Sequence, residues 1–307
     1  MFLLAEGGHP VPLIVEFISH YLGKPVHHFQ VTYTEPLWNK YVFSQFGTTA
    51  ANVFGEYTVE NAIPWYTIMF VIACAVTVVL VSLLKGKLSE DDPKPGQLTL
   101  EAGVLAVKGM ITSIVGEHGF RHFPVVATFG LLILVSNLLG QFPLFMTPTA
   151  SVNVTFALGI SSFVYYNYVG ISENGLVGHI KHFAGPKLPL LMIPITMLIF
   201  FIEIISSSIR PLTLGIRLFA NMFADEKVFL EITNIAPPIT QFLLPLPLTL
   251  LGVFVALVQA FVFTLLSLIY IGEVSHAPHG HEDHGEHGDH DDDHAHDGHA
   301  EPAVAHA

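Results

Sequence analysis

The sequence predicts an all-α integral membrane protein: about five membrane spans, an interfacial helix, and a long, steeply tilted helical hairpin at the C-terminal end. Three observations carry this. Of 307 residues, 51% are hydrophobic and 12% are charged, about half the charged fraction of a soluble domain. Apolar runs recur at lengths that match a hydrocarbon core of about 30 Å. The last two runs overshoot that length, so each helix must tilt, bend or break.

Residues 1–63 mix Pro, Gly and His with short apolar pieces. They read as an extramembranous N-terminal arm holding one short helix. Met1–Pro12 has neither a basic region nor an apolar stretch of signal-peptide length, so it is expected to be mature sequence. The membrane domain is expected over 64–272. Its first span, Pro64–Leu84, carries no charge before Lys85. Lys85–Gln97, with Pro93 and Pro95, is a loop. Residues 98–119 keep helical spacing but include Glu101, Lys108 and Glu117, which favours a helix lying in the interface. Spans at about 123–142 and 152–170 follow, joined by a Pro-bearing turn, and 172–187 reads as a polar loop. Two long runs remain, about Pro189–Thr233 and Pro238–Gly272. As unbroken helices they would measure ~65 and ~50 Å. Pro194 and Pro211 in the first, and Pro245 and Pro247 in the second, are the candidate bend points.

The formal net charge of -13 misleads, because acids crowd into the last thirty-odd residues. With five spans, Lys85, Lys87, Lys94, Lys108, Arg121, Lys181 and Lys187 fall on one side, and Lys24, Lys40 and Lys227 on the other. The excess of basic residues places the N-terminus outside and the C-terminus in the cytoplasm. There is no basic stripe for nucleic acid. The single cysteine, Cys74, excludes an intrachain disulfide framework and an all-cysteine zinc site.

Charges inside an apolar run are costly, so each one is a functional candidate. Glu203, Arg210 and Arg217 are spaced by seven and share one helical face to within ~20° per step. Asn221, four residues on, adds an amide beside Arg217. Glu226 lies roughly opposite Arg217, and ~35 Å from Glu203 along the axis. Arginine keeps its proton at any working pH, so it attracts a mobile carboxylate without relaying a proton. Carboxylates such as Glu203 and Glu226 do exchange protons with water. A fixed cation between two such groups separates two aqueous routes and discharges any acid that passes. The plainer alternative for Arg210 is a snorkelling or Glu203-paired structural residue. Arg217, flanked by Leu214–Ile216 and Leu218–Ala220, fits that alternative less well.

The run Pro211–Glu226 (PLTLGIRLFANMFADE) resembles the signature of subunit a of the F-type ATP synthase membrane sector. Val258–Phe263 (VQAFVF), Ser136–Pro143 (SNLLGQFP) and Pro148–Asn153 (PTASVN) resemble its other conserved stretches, in the right order, across about 64–272. The resemblance implies a stator in which Arg217 faces a c-ring of rotor subunits whose carboxylates take up and release the ion. It implies an outer half-channel lined by Glu226, Asn221 and Gln259, and a cytoplasmic one with Glu203, Thr213 and the Ser206–Ser208 run. Arg210 and Asn137 join the expected ion pathway. Implied partners are the c-ring subunits, the b-subunit stalk, the rest of the synthase complex and membrane lipid, in a bacterial inner membrane. Proton is the default ion. One departure is Gly252, where some members have histidine seven residues before the glutamine; water is expected to fill its place. Asp225 is an extra acid beside Glu226, expected only to widen the inlet. Gln259 and Asn137 also have a structural reading, as helix–helix hydrogen-bonding groups.

The tail, 273–307, alternates histidines with acids and glycines, a composition that cannot pack a core. His281, His284, His287 and His290 are weak metal-ligand candidates. This leaves a divalent-metal transporter or other ion channel as the competing function, although no His–carboxylate pairs at helical spacing fall inside the apolar runs. No cofactor is expected. The chain has no G-x-x-x-x-G-K-[ST] loop, so it should not hydrolyse ATP by itself.

Overall fold

The computed structural model describes residues 3–4 and 10–275, apart from 46, 56–57, 60–61, 87–88, 90–92, 143–144, 184–192 and 236–244. The histidine-rich tail and its four candidate ligands therefore lie outside the described residues. Apart from a two-residue antiparallel pairing of Leu3–Leu4 with Pro10–Val11, the described fold is helical.

The arm is more helical than expected. Helix α1 (Leu13–Phe29) passes through a π-helical turn at Gln30–Thr34 into α2 (Glu35–Tyr41), and α3 (Ala50–Phe54) follows. Pro25 removes one backbone donor, yet α1 continues through it. Tertiary packing offsets the loss. Val15 sits in a cluster with Ile68, Met69 and Met146, and the Gln30 amide donates to the Ala62 carbonyl at 2.9 Å.

Among the described residues, five helices are long and apolar enough to cross a membrane: α4 (Trp65–Lys85), α6 (Phe123–Leu139, with a 3-10 turn before it), α7 (Val152–Phe183), α8 (Ile193–Ile235) and α9 (Pro245–Ser275). Helix α5 (Pro95–Ile114) is not among them, as its charged residues predict.

Two expectations are corrected. Residues 172–183 are helical rather than loop, because Gly175 (φ 70°) interrupts α7 without ending it. The polar residues around that break find partners. Glu173 pairs with Arg121, and the Asn174 amide donates to the Val274 carbonyl at 2.9 Å. Of the four prolines read as bends, Pro194, Pro245 and Pro247 fall in the first turn of α8 or α9, where the missing N–H has no partner to lose. Pro211 alone lies in a helix interior. Both hairpin helices, of 43 and 31 residues, exceed the core thickness, as the sequence predicts.

Contacts between helices fix their order. Helix α8 lies antiparallel on α7, with Gly215 against Thr155, Gly159 against Pro211, and Tyr166 hydrogen-bonded to Ser207 at 2.6 Å. Small residues let the backbones touch: a Cβ built on Gly159 would stand 2.6 Å from the Pro211 carbonyl oxygen. Helix α9 fills the space between α6, α7 and α8. Phe263 packs on Phe129 of α6, and Ser267 meets Ser162 of α7 at 3.0 Å. One apolar core joins Ile111, Val126, Tyr166, Leu268 and Ile271; a second joins Ile133, Leu158, Leu214, Leu218 and Phe263.

Candidate functional site

The second core holds one side of α8 and leaves the other bare. Leu214, Leu218 and Met222 are buried, whereas Ile202, Ile205, Ile209, Leu212 and Ile216 form an exposed stripe at three- and four-residue spacing. Only 11% of the α8 span is buried within the chain, against 22–44% for the other four spans. Arg217 stands at the border between these faces and is itself exposed. Among the described residues no carboxylate lies within ion-pairing distance of it. An unpaired guanidinium in the middle of an apolar span costs a few kcal/mol or more, so this arrangement calls for a counter-charge beyond the described residues.

Polar clusters lie on either side of Arg217 along α8. Toward the N-terminal end, ~10 Å away by helical rise, Arg210 is clamped. It pairs with Glu203 at 3.4 Å, holds Glu273 of α9 through two contacts, one at 2.9 Å, and lies over the Tyr270 ring at 5.2 Å. The Tyr166–Ser207 bond sits beside it. The sequence pairing of Arg210 with Glu203 is therefore present, but Glu273 was not singled out. It sits just past the last apolar run, where composition alone assigns it to the acidic tail. Thr213 is exposed, and its hydroxyl donates to the Arg210 carbonyl at 2.9 Å, within the helix. Of the serine run, only Ser207 is buried.

Toward the C-terminal end, one turn from Arg217, the Asn221 amide donates to the side-chain oxygen of Gln259 (Oε1) at 2.8 Å, and Gln259 is buried. This bond crosses from α8 to α9. Gln259→Leu leaves the Asn221 amide without its acceptor and is expected to lower stability by about 1–2 kcal/mol. Adding Asn221→Leu should recover part of it, as read by thermal unfolding of the purified complex; a fully additive loss would show that the bond contributes nothing.

Asp225, one further turn on, faces the side-chain amide of Gln141, which follows α6. Gln141 also occupies the space over Gly252, where a Cβ would meet its Oε1 at 2.7 Å. Gln141 thus stands where a Cβ at position 252 would go, an approach that the sequence reading did not anticipate. Gln141 was missed because it reads as the polar end of the 123–142 span, and its approach to Gly252 is purely tertiary. Glu226 is half-buried on the neighbouring face of α8.

Asn137 stands apart from the arginine stripe. It is fully buried, and its Oδ1 accepts the Thr149 hydroxyl at 2.5 Å, tying α6 to the 148–150 turn. Near the other end of the bundle His122 is buried against Tyr165 at 3.0 Å, and His179 lies 3.2 Å from the Asn167 amide oxygen. Among the described residues no group of three His, Cys, Asp or Glu could hold a metal ion.

Known proteins resemble this chain across its membrane-spanning part. A family model described as ATP synthase A chain matches residues 67–272. ATP synthase subunit a 3 of Pelobacter propionicus is 44% identical over 192 residues, covering 62% of this chain and 80% of that protein. Its subunit a 1 is 48% identical over 172 residues, covering 56% and 71%. ATP synthase subunit a of Geotalea daltonii is 43% identical over 192 residues, covering 62% and 80%.

Proposed function

The chain belongs to the ATP synthase A chain family, and from that premise we propose that it is the stator of a proton-driven rotor, with Arg217 as the fixed cation that each rotor carboxylate must pass. The observation that carries this is a guanidinium with no carboxylate partner among the described residues, on the least-buried of the five spans, beside an apolar stripe that no described residue covers. A ring of c subunits, each presenting a carboxylate on an apolar helix, supplies both the cover and the counter-charge. The family match gives no support to a divalent-metal transporter.

On this reading the Asn221–Gln259 side opens outward and the Glu203–Arg210–Glu273 side opens to the cytoplasm, in a bacterial inner membrane with the N-terminus outside. The remaining proposed contacts are the b-subunit stalk, the rest of the complex and lipid. Glu226 and Thr213 belong to the outer and inner routes respectively. Arg217 lies between the two, so a proton crosses only by riding a rotor carboxylate from one to the other. A potential of 100 mV then contributes ~2.3 kcal/mol per proton to rotation.

The test is proximity. Ile216→Cys, in a Cys74→Ser background, should form a disulfide with a cysteine placed beside the rotor carboxylate in the assembled complex. Val126, buried between α5, α7 and α9, should not when exchanged the same way. A complex in which Ile216→Cys never cross-links to the ring, though the ring co-purifies, removes the proposal.

A further inference from the structure

Arg210 stands between two carboxylates and holds them unequally. Glu273, arriving from the end of α9, takes both arms of the guanidinium fork. Its Oε2 meets Nη1, and its Oε1 accepts from Nη2 at 2.9 Å. Glu203, seven residues before Arg210 on α8, reaches only the shared Nη2, at 3.4 Å. Two parallel bonds to one carboxylate are the strong arrangement for arginine, whereas a single contact at that distance is weak. Glu203 is therefore touched but not gripped. Its side chain is 32% exposed, against 18% for Arg210.

The aim of Glu273 is itself built into the fold. The two residues that follow it are tied to α7: the Val274 carbonyl accepts the Asn174 amide at 2.9 Å, and the Ser275 hydroxyl donates to Glu173 at 3.3 Å. Tyr270, three residues earlier on α9, carries the guanidinium over its ring. The fork is thus directed across to α9 and away from the carboxylate on its own helix.

We propose that Glu273 is a positioning residue of the inner route: by occupying the Arg210 fork it keeps Glu203 open to water and able to pass protons. The proposal rests on the stator reading above and assigns a task to a residue that the arginine stripe does not contain. A carboxylate that gives both oxygens to a guanidinium fork has none left for a proton or a water. Without Glu273, the fork's remaining carboxylate within ion-pairing distance among the described residues is Glu203, on the same face of α8. Closing on it forms a trap, because guanidinium has no proton to give up in exchange. Glu273 itself takes no proton in this scheme. Its effect on pumping passes entirely through Arg210 and Glu203.

The experiment uses the intact synthase in inverted vesicles, with ATP-driven proton pumping and subunit co-purification as paired readouts. Glu273→Gln is expected to lower pumping about tenfold with the complex intact, part of what a positioned acid–base group contributes. Arg210→Gln/Glu273→Gln leaves no fork to close on Glu203 and should recover pumping to within about threefold of the parent, a non-additive result. A contact that merely ties α8 to α9 gives no such rescue, since the tie is absent from both variants. Glu203→Gln/Glu273→Gln should pump no worse than Glu203→Gln alone, as Glu273 acts through Glu203. Pumping by Glu273→Gln within about twofold of the parent overturns the inference. So does a double variant Arg210→Gln/Glu273→Gln as slow as Glu273→Gln. Loss of the subunit from the complex in Glu273→Gln makes the contact a structural tie and overturns it too. All three leave the stator reading standing; normal pumping by a variant lacking Arg217 is what removes that reading.

Discussion

Arg217→Ala abolishes ATP-driven proton pumping while the subunit still assembles with its complex. Assembly survives because Arg217 holds no part of the chain together: it is exposed, and no carboxylate of the described residues pairs with it. Removing one member of a buried ion pair leaves an uncompensated charge, but here that charge belongs to the rotor and can be quenched by protonation. Pumping fails for the same reason. With no fixed cation, a rotor acid passes the barrier protonated, and nothing forces its proton into the outgoing route. The loss should exceed about 100-fold, given that a preorganised charge in a low-dielectric site contributes some 3–4 kcal/mol. Arg217→Lys tests the finer point. Lysine is a compact point charge that loses its proton readily when desolvated, whereas guanidinium stays charged. Lysine should therefore restore only a small part of pumping. Normal pumping by the alanine variant would end the account; failed assembly would show that the guanidinium is also a structural anchor.

The arginine stripe was legible in the sequence because its logic is local. Seven-residue spacing puts Glu203, Arg210 and Arg217 on one face whatever surrounds the helix, and the Glu203–Arg210 pair is indeed formed. The spans were legible for the same reason, since hydropathy and length settle them. What sequence could not supply is the identity of partners on other helices. Glu273 meets Arg210 across 63 positions, and Gln141 reaches Gly252 across more than a hundred. Neither distance leaves a periodic trace. The misread loop at 172–183 has a related cause. Glu173 and Asn174 look like surface residues, and only the arrival of Arg121 and the end of α9 half-buries them.

Gly159→Leu removes the subunit from the purified complex, and Gly159→Ala separates the reason into parts. Gly159 is where α7 touches the backbone of α8, and even a bare Cβ would stand 2.6 Å from the Pro211 carbonyl oxygen. Backbone cannot rotate away as a side-chain tip does, so α8 must shift bodily. Gly215 meets the Thr155 carbonyl oxygen on the same seam, which leaves no slack two residues from Arg217. Overpacking a well-filled contact costs typically 1–3 kcal/mol, and leucine, too large for the seam, should forfeit assembly. Alanine displaces α8 by less. Its expected signature is a complex that still assembles but pumps several-fold more slowly, because a misplacement near 1 Å costs up to about 100-fold in a positioned site. Gly103→Ala, on α5, meets nothing within 4 Å and should leave both readouts unchanged. If Gly159→Ala pumps at the parental rate, the seam with α7 does not set the position of Arg217, and the bonds from α8 to α9 at Asn221 and Arg210 must set it instead.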